Sequence, residues 1–151
     1  MAAAALALMA VPAAAQSSDA AGAQIFREHC SACHDAAGAG VPGFGPALAG
    51  PVAARLKAGA REYLAQVVVS GITGVFELAN QRQLGVMPSF AGLGDESLAA
   101  ALNHVVFTLN AEGVGEGVAR FTGADVAAAR GNARTPAELD RVRQALVRAA
   151  R

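Results

Sequence analysis

Apolar residues recur along this chain at intervals of three and four, and the intervals stop at glycine- and proline-rich stretches. Ala20 to His34 reads as one helix, with Ile25, Phe26 and the cysteine region on one side and Arg27 and Glu28 facing out. Residues 38–51, GAGVPGFGPALAGP, cannot continue it, and a loop held against something is expected there. A second helix is predicted over Ala60 to Ser70, with Tyr63, Leu64, Val67 and Val68 on one face and Gly71 as a C-terminal stop. Its three consecutive valines also suit a short strand. Residues 72–93 carry little periodicity and are expected to be the least regular part of the body. Helix resumes near Asp95, with Leu98, Leu102, Val105, Val106 and Leu109 as its apolar stripe. Gly113, Gly115 and Gly117 then mark a break. Beyond it, Thr122-Gly-Ala-Asp125 and Thr135-Pro-Ala-Glu138 both have the Thr-x-x-acid form of a capping box, the second with proline at the first helical position. Leu139, Val142, Leu146 and Ala149 line one side of the last helix. Every regular element predicted is helical, so the expected fold class is all-α.

Length and charge narrow the picture. The 151 residues suit one domain with some extra material. Twelve basic and twelve acidic side chains balance, which argues against a nucleic-acid binder or a polybasic membrane clamp. Residues 16–120 hold nine acids and six bases, and residues 121–151 hold three and six, so a mildly acidic body carries a mildly basic tail. The opening MAAAALALMAVPAAA is apolar and ends in three alanines, like the hydrophobic region and cleavage site of a secretory signal peptide. It is shorter than the roughly 20 apolar residues that span a bilayer. No Lys or Arg precedes the run, so either the start lies upstream or the segment is an uncleaved anchor; the expectation is cleavage near Gln16 and export to an oxidising compartment. The organisation expected is a signal segment at 1–15, a domain at 16–112, and a glycine-containing linker with a helical extension at 113–151.

The chemistry concentrates in His29-Cys-Ser-Ala-Cys-His-Asp35, which contains both cysteines of the chain. Three uses of the Cys30-x-x-Cys33-His34 run compete. Structural zinc needs four ligands, and the other histidines are only His29, beside Cys30 with poor geometry, and His104. A thioredoxin-like dithiol would accompany a βαβ pattern, which the sequence lacks. Covalent haem attachment uses each cysteine as a thioether and the following histidine as an iron ligand, and it is the reading favoured.

On these residues the chain resembles the mono-haem c-type cytochromes of class I, over most of residues 20–110. Gly22 and Phe26 match a glycine and an aromatic that in that family pack the first helix against the last one of the core. Gly45-Pro46-Ala47-Leu48 matches its Gly-Pro-x-Leu loop. The resemblance implies a class I cytochrome c fold, three to five helices wrapped around one covalently bound haem c, here with a C-terminal helical tail. It implies that the Pro46 carbonyl accepts a hydrogen bond from Nδ1–H of His34, which orients the ring and strengthens it as a donor. Met87, the only methionine past the signal segment, lies in Gly-Val-Met-Pro-Ser-Phe (85–90), similar to the Met-Pro pair that supplies the axial sulfur in the family. The competing role for Met87 is filling a core gap. His104, inside an apolar helix, reads as a packing residue at a position where relatives place an aromatic, and His29 reads as solvated.

The cofactor-binding set expected is therefore Cys30, Cys33, His34, Pro46 and Met87, with His34 and Met87 on the metal. Candidate apolar neighbours of the ring are Phe26, Phe44, Leu48, Leu64, Val68, Phe90, Leu98 and Leu102, and candidate propionate partners are Arg55, Lys57, Tyr63 and Arg82. No Ser-His-Asp set or acid pair stands out, so the resemblance implies a periplasmic electron carrier rather than an enzyme. Its partners would be redox proteins, a periplasmic dehydrogenase and a terminal oxidase among them. No nucleic acid and no stable membrane insertion after signal cleavage are expected. The alternative is a haem enzyme or a gas or redox sensor with an open sixth position. The amphipathic tail either docks a partner or caps its own core.

Overall fold

The computed structural model describes the backbone of residues 13–78 and 81–150, and side chains from 19 to 76 and from 82 to 150. The proposed signal segment falls almost wholly outside these residues. Helix α1 (Ala13–His29) ends at Cys30, and a single turn, α2 (Ser31–His34), carries the second cysteine and the histidine. The one helix expected over Ala20 to His34 is thus two, with the break at the first cysteine. Helices α3 (Pro51–Lys57), α4 (Arg61–Ser70) and α5 (Asp95–Phe107) complete the body, and α6 (Gly123–Gly131) and α7 (Pro136–Ala149) follow.

The frame is the crossing of α1 and α5. Gly22 lets the two backbones meet: a Cβ there would sit 2.2 Å from the Ala100 carbonyl oxygen. One turn on, Phe26 is fully buried and packs on the His104 ring with centroids 5.3 Å apart. The core spreads from this crossing through Leu98, Leu102 and Val106 to Tyr63, Leu64 and Val67 of α4.

Residues 72–93, expected to be the least regular part of the body, add a two-stranded hairpin to the mostly helical fold. Ile72–Leu78 (β1) and Gln81–Met87 (β2) pair antiparallel, with Ile72 opposite Met87 and Gly74 opposite Gly85. The hairpin was hidden because both of its faces carry apolar residues, which erases the alternation by which a half-buried strand is recognised. Ile72 and Phe76 are buried, while Val75, Leu84 and Val86 on the other face are exposed. The glycines at 71, 74 and 85 then read as breakers. Gly74 in fact makes room for the Asp140 carboxylate of α7. The body remains mostly helical, with the hairpin inserted between α4 and α5.

Both predicted capping boxes form. The hydroxyls of Thr122 and Thr135 accept from the backbone N–H groups of Asp125 and Glu138, and those carboxylates accept in return. The segment after the glycine break is no free extension. Leu139 and Leu146 of α7 and Val126 of α6 are buried in the same core as α4 and β1. Buried amides hold it from the core side. Asn103 donates to the Phe121 carbonyl and accepts from the Phe121 N–H, at 2.9 and 2.7 Å. Gln66 donates to the Asn132 carbonyl and accepts from the Arg134 N–H, at 3.0 and 3.2 Å. Arg61 adds bonds to the Ala119 and Arg120 carbonyls and to Asp125. The amphipathic face is spent on the chain's own core.

Leu139→Ala is expected to lower unfolding stability by about 2–5 kcal/mol, the cost of emptying a fully buried leucine site. Denaturant titration checks it; a change near zero would mean that α7 does not share the core.

Candidate functional site

The Cys-x-x-Cys-His run sits where α1 stops. Cys30 leaves the helix, and its carbonyl accepts from the N–H groups of Cys33 and His34, at 3.2 and 3.0 Å. The single turn ends at Asp35, whose positive φ of 65° is a backbone conformation that residues with a side chain rarely adopt. Its side chain accepts from the Ala37 N–H at 2.8 Å and closes the reversal. The following loop folds back on the run: the Gly40 N–H reaches the His34 carbonyl at 2.9 Å and the Val41 N–H reaches that of Cys33 at 3.2 Å. Gly45 permits the closest approach, since a Cβ there would lie 2.4 Å from the Cys33 carbonyl oxygen. That approach delivers the Pro46 carbonyl to His34, whose Nδ1–H donates to it at 2.8 Å.

The loop is locked from the other side by Asn110, 4% exposed, just beyond α5. Its carboxamide accepts from the N–H groups of Gly50 and Ala53 and donates to the Leu48 and Val105 carbonyls. Every hydrogen-bonding site of this buried side chain is used.

Met87 approaches from the hairpin. It is the last residue of β2 rather than part of an irregular loop, and the chain after it is fastened to α4. The Ser89 hydroxyl donates to the Val69 carbonyl at 2.5 Å, and the Phe90 N–H to that of Val68 at 3.0 Å. His34 and Met87, 53 positions apart in sequence, line one cleft of about 530 Å³ together with Cys30, Cys33 and Pro46. The structure brings all five sequence-predicted site residues together.

The cleft wall is mostly apolar. Of the eight apolar neighbours expected from sequence, seven line it, and Leu98 lies in the core instead. Phe44, 68% exposed, Val75 and Val86 present large apolar surface to the same space. His104 stays on Phe26, outside the cleft, and His29 is exposed at its edge, 6.3 Å from the Phe90 ring. Of the propionate candidates, Arg55, Tyr63 and Arg82 reach the lining, whereas Lys57 is exposed outside it. Sequence reasoning missed Arg143, Gln144, Val147 and Arg148, which α7 adds to the wall. Their signal was spacing: 144, 147 and 148 share a helical face with 143 and 140, but nothing in the sequence says where that face points.

Burial holds the His34 imidazole below its ordinary pKa, against the raising effect of the Pro46 hydrogen bond. The ring is therefore neutral near pH 7, the form a metal binds, and its Nε2 is the remaining donor atom. The Cys30 thiol is pushed up to about 11, first by burial and then by Cys33, so it is protonated at neutral pH and no reactive thiolate. Among the described residues no three His, Cys, Asp or Glu side chains gather as a metal site, so the zinc reading lacks its second half.

This donor set fits a flat apolar macrocycle carrying iron. Cys30 and Cys33 could hold its edge, His34 and Met87 could fill the axial positions, and Phe44, Val75 and Val86 offer the apolar cover such a plate buries. No described helix is long and apolar enough to cross a membrane. A family model described as cytochrome c matches residues 20–107. Two relatives, each named cytochrome c-552 and both from Thermus thermophilus, are 40% identical to this chain over 119 residues. They match 78% of it, and the match covers 90% and 80% of their own lengths.

Ser89→Ala, which removes the tie between the segment after Met87 and α4, is expected to cost about 1 kcal/mol. Thermal unfolding monitored by circular dichroism measures it; an unchanged midpoint would show that the bond does not hold this segment.

Proposed function

This chain belongs to the cytochrome c family, and on that premise we propose that it carries electrons singly through one haem c bound covalently at Cys30 and Cys33, with His34 and Met87 as axial ligands. When bound, the haem supplies the redox chemistry by cycling its iron between Fe(III) and Fe(II). The observation that carries the assignment of residues is the convergence on one cleft of Cys30, Cys33, a His34 ring fixed by Pro46, and Met87.

Each residue has a defined task. Nδ1–H of His34 is committed to the Pro46 carbonyl, which leaves Nε2 as the atom that would bind the iron and makes it a stronger donor. Met87, held by the Ser89 and Phe90 anchors, offers a neutral thioether, which favours Fe(II) and raises the potential relative to a second histidine. With His34 and Met87 both holding the iron, exogenous ligands would be excluded from it, and that would separate a carrier from a haem enzyme or gas sensor. The apolar wall limits water around the site and so the reorganisation that accompanies each electron.

The setting of this reaction is part of the proposal. The apolar start supports export to the periplasm, where one electron at a time would pass from a dehydrogenase toward a respiratory oxidase. Encounters of this kind use small, transient interfaces.

Two measurements on the exported chain test the reading. Intact mass is expected to show one haem added, retained after denaturation and abolished by Cys30→Ser with Cys33→Ser; an unmodified mass would overturn covalent attachment. The oxidised visible spectrum is expected to show the long-wavelength band of methionine–iron ligation in the wild type and to lose it in Met87→Ala, which would then bind carbon monoxide rapidly. A wild type without that band and already open to carbon monoxide would make the chain an enzyme or sensor.

A further inference from the structure

The segment that follows Met87 is gripped from a second direction, by a residue of the tail. Pro88 to Gly94 leaves β2 and reaches the first turn of α5 without forming helix or strand. Arg130, in the last turn of α6, spreads its guanidinium over this segment. Nη1 donates to the Ala91 carbonyl at 2.7 Å, Nη2 to the Leu93 carbonyl, and Nε to Asp95 Oδ1. Among the described residues no backbone N–H bonds to either carbonyl, so Arg130 is the partner they have. Three bonds from one planar fork fix the course of the loop as well as its distance from α6, which the point charge of a lysine cannot do. The side chains of Arg130 and Asp95 are 28% and 36% exposed, so the node is largely withdrawn from water. Arg130 keeps its place because α6 is itself docked: Val126 and Ala129 are buried in the core, and Asp125 is bonded to Arg61 of α4.

The loop therefore has two moorings. Ser89 and Phe90 are fastened to α4, and Ala91, Leu93 and Asp95 are fastened to α6. None of Arg130, Ala91, Leu93 and Asp95 lines the cleft, so the second mooring acts on the site only through the backbone between it and Met87. Pro88 stiffens that backbone at its start. A methionine that swings out of the cleft drags the following residues with it, and the bonds to Arg130 oppose the movement. We propose that Arg130 is a positioning residue for Met87: by clamping residues 91–95 to α6 it keeps the thioether on the iron and sets how often the sixth position opens. The inference rests on the axial role of Met87 given above. It makes α6, which lies beyond the 20–107 span of the family match, a support of the metal site and not only a cap on the core.

The test uses the full haem-loaded chain in its oxidised form, titrated with imidazole and followed by visible absorption. Imidazole takes the sixth position only when Met87 has left it, so its apparent affinity is the intrinsic affinity scaled by the open fraction. Arg130→Gln is expected to bind imidazole about tenfold more tightly than the wild type, the equivalent of one hydrogen bond to a charged group lost from the closed form. Arg130→Lys, which keeps a charge for Asp95 but not all three bonds, is expected to lie between the two. In a Met87→Ala background the position is already open, and adding Arg130→Gln is expected to change the affinity by less than about twofold. Arg134→Gln, which cuts a different bond from the tail to α4, at Glu62, is expected to bind as the wild type does. Unchanged affinity in Arg130→Gln would overturn the proposal. So would an equal gain in the Met87→Ala background, because the effect would then be a general loosening of the cleft. If Arg130→Gln does not accumulate, Arg130→Lys with and without Met87 decides alone. A wild type that lacks the methionine–iron band and binds imidazole as tightly as Met87→Ala would instead overturn the reading beneath the proposal, and the band separates the two failures.

Discussion

The hydrogen bond from His34 to the Pro46 carbonyl is the constraint around which the site is built. An imidazole at the end of a single helical turn could rotate about two side-chain bonds; one 2.8 Å contact to a main-chain oxygen removes that freedom. The contact exists only because Gly45 lets the loop touch the Cys33 carbonyl, and the loop holds its course because Asn110, just beyond α5, grips it. Met87 is held through a different helix, with Ser89 and Phe90 fastening the segment after it to the end of α4. Two donors separated widely in sequence are each tied to a helix of the shared core, so the spacing between them is set by the packing of α4 and α5 rather than by the loops.

A second system of bonds ties the tail to that frame. Among the described residues the buried carboxamides that reach the tail are Gln66 and Asn103, and each bonds to main chain distant in sequence. A satisfied bond of this kind adds about 1 kcal/mol, whereas a buried amide deprived of its partner costs about 1–3 kcal/mol. The asymmetry makes them registers more than glue: a misdocked tail leaves the amides unsatisfied, so the correct docking is selected against its neighbours.

What the sequence disclosed follows the reach of its signals. Helices with one apolar face were legible at α4, α5 and α7, and the two capping boxes were read residue by residue because their chemistry is local. Cys30, Cys33, His34, Pro46 and Met87 could be named from local motifs and the family resemblance, and the five line one cleft. The break in the first helix at Cys30 was invisible, since nothing at that residue forbids helix. The hairpin was hidden for a physical reason: with apolar residues on both faces and paired glycines at 74 and 85, it lacks every mark of a solvated strand. The contribution of α7 to the cleft could not be read at all, because amphipathicity reports that a helix has a buried side and not what lies beneath it.

Several of the bonds that hold the tail end on main-chain atoms: the Phe121 and Asn132 carbonyls, the N–H groups of Phe121 and Arg134, and the Ala119 and Arg120 carbonyls. Those atoms are common to nearly every residue type. The side chains at 119, 120, 132 and 134 are therefore free to drift over evolutionary time without loosening these bonds, while proline at 121 or 134 would remove a donated N–H and break one. Here the fold recognises the course of its own chain and not the letters written along it.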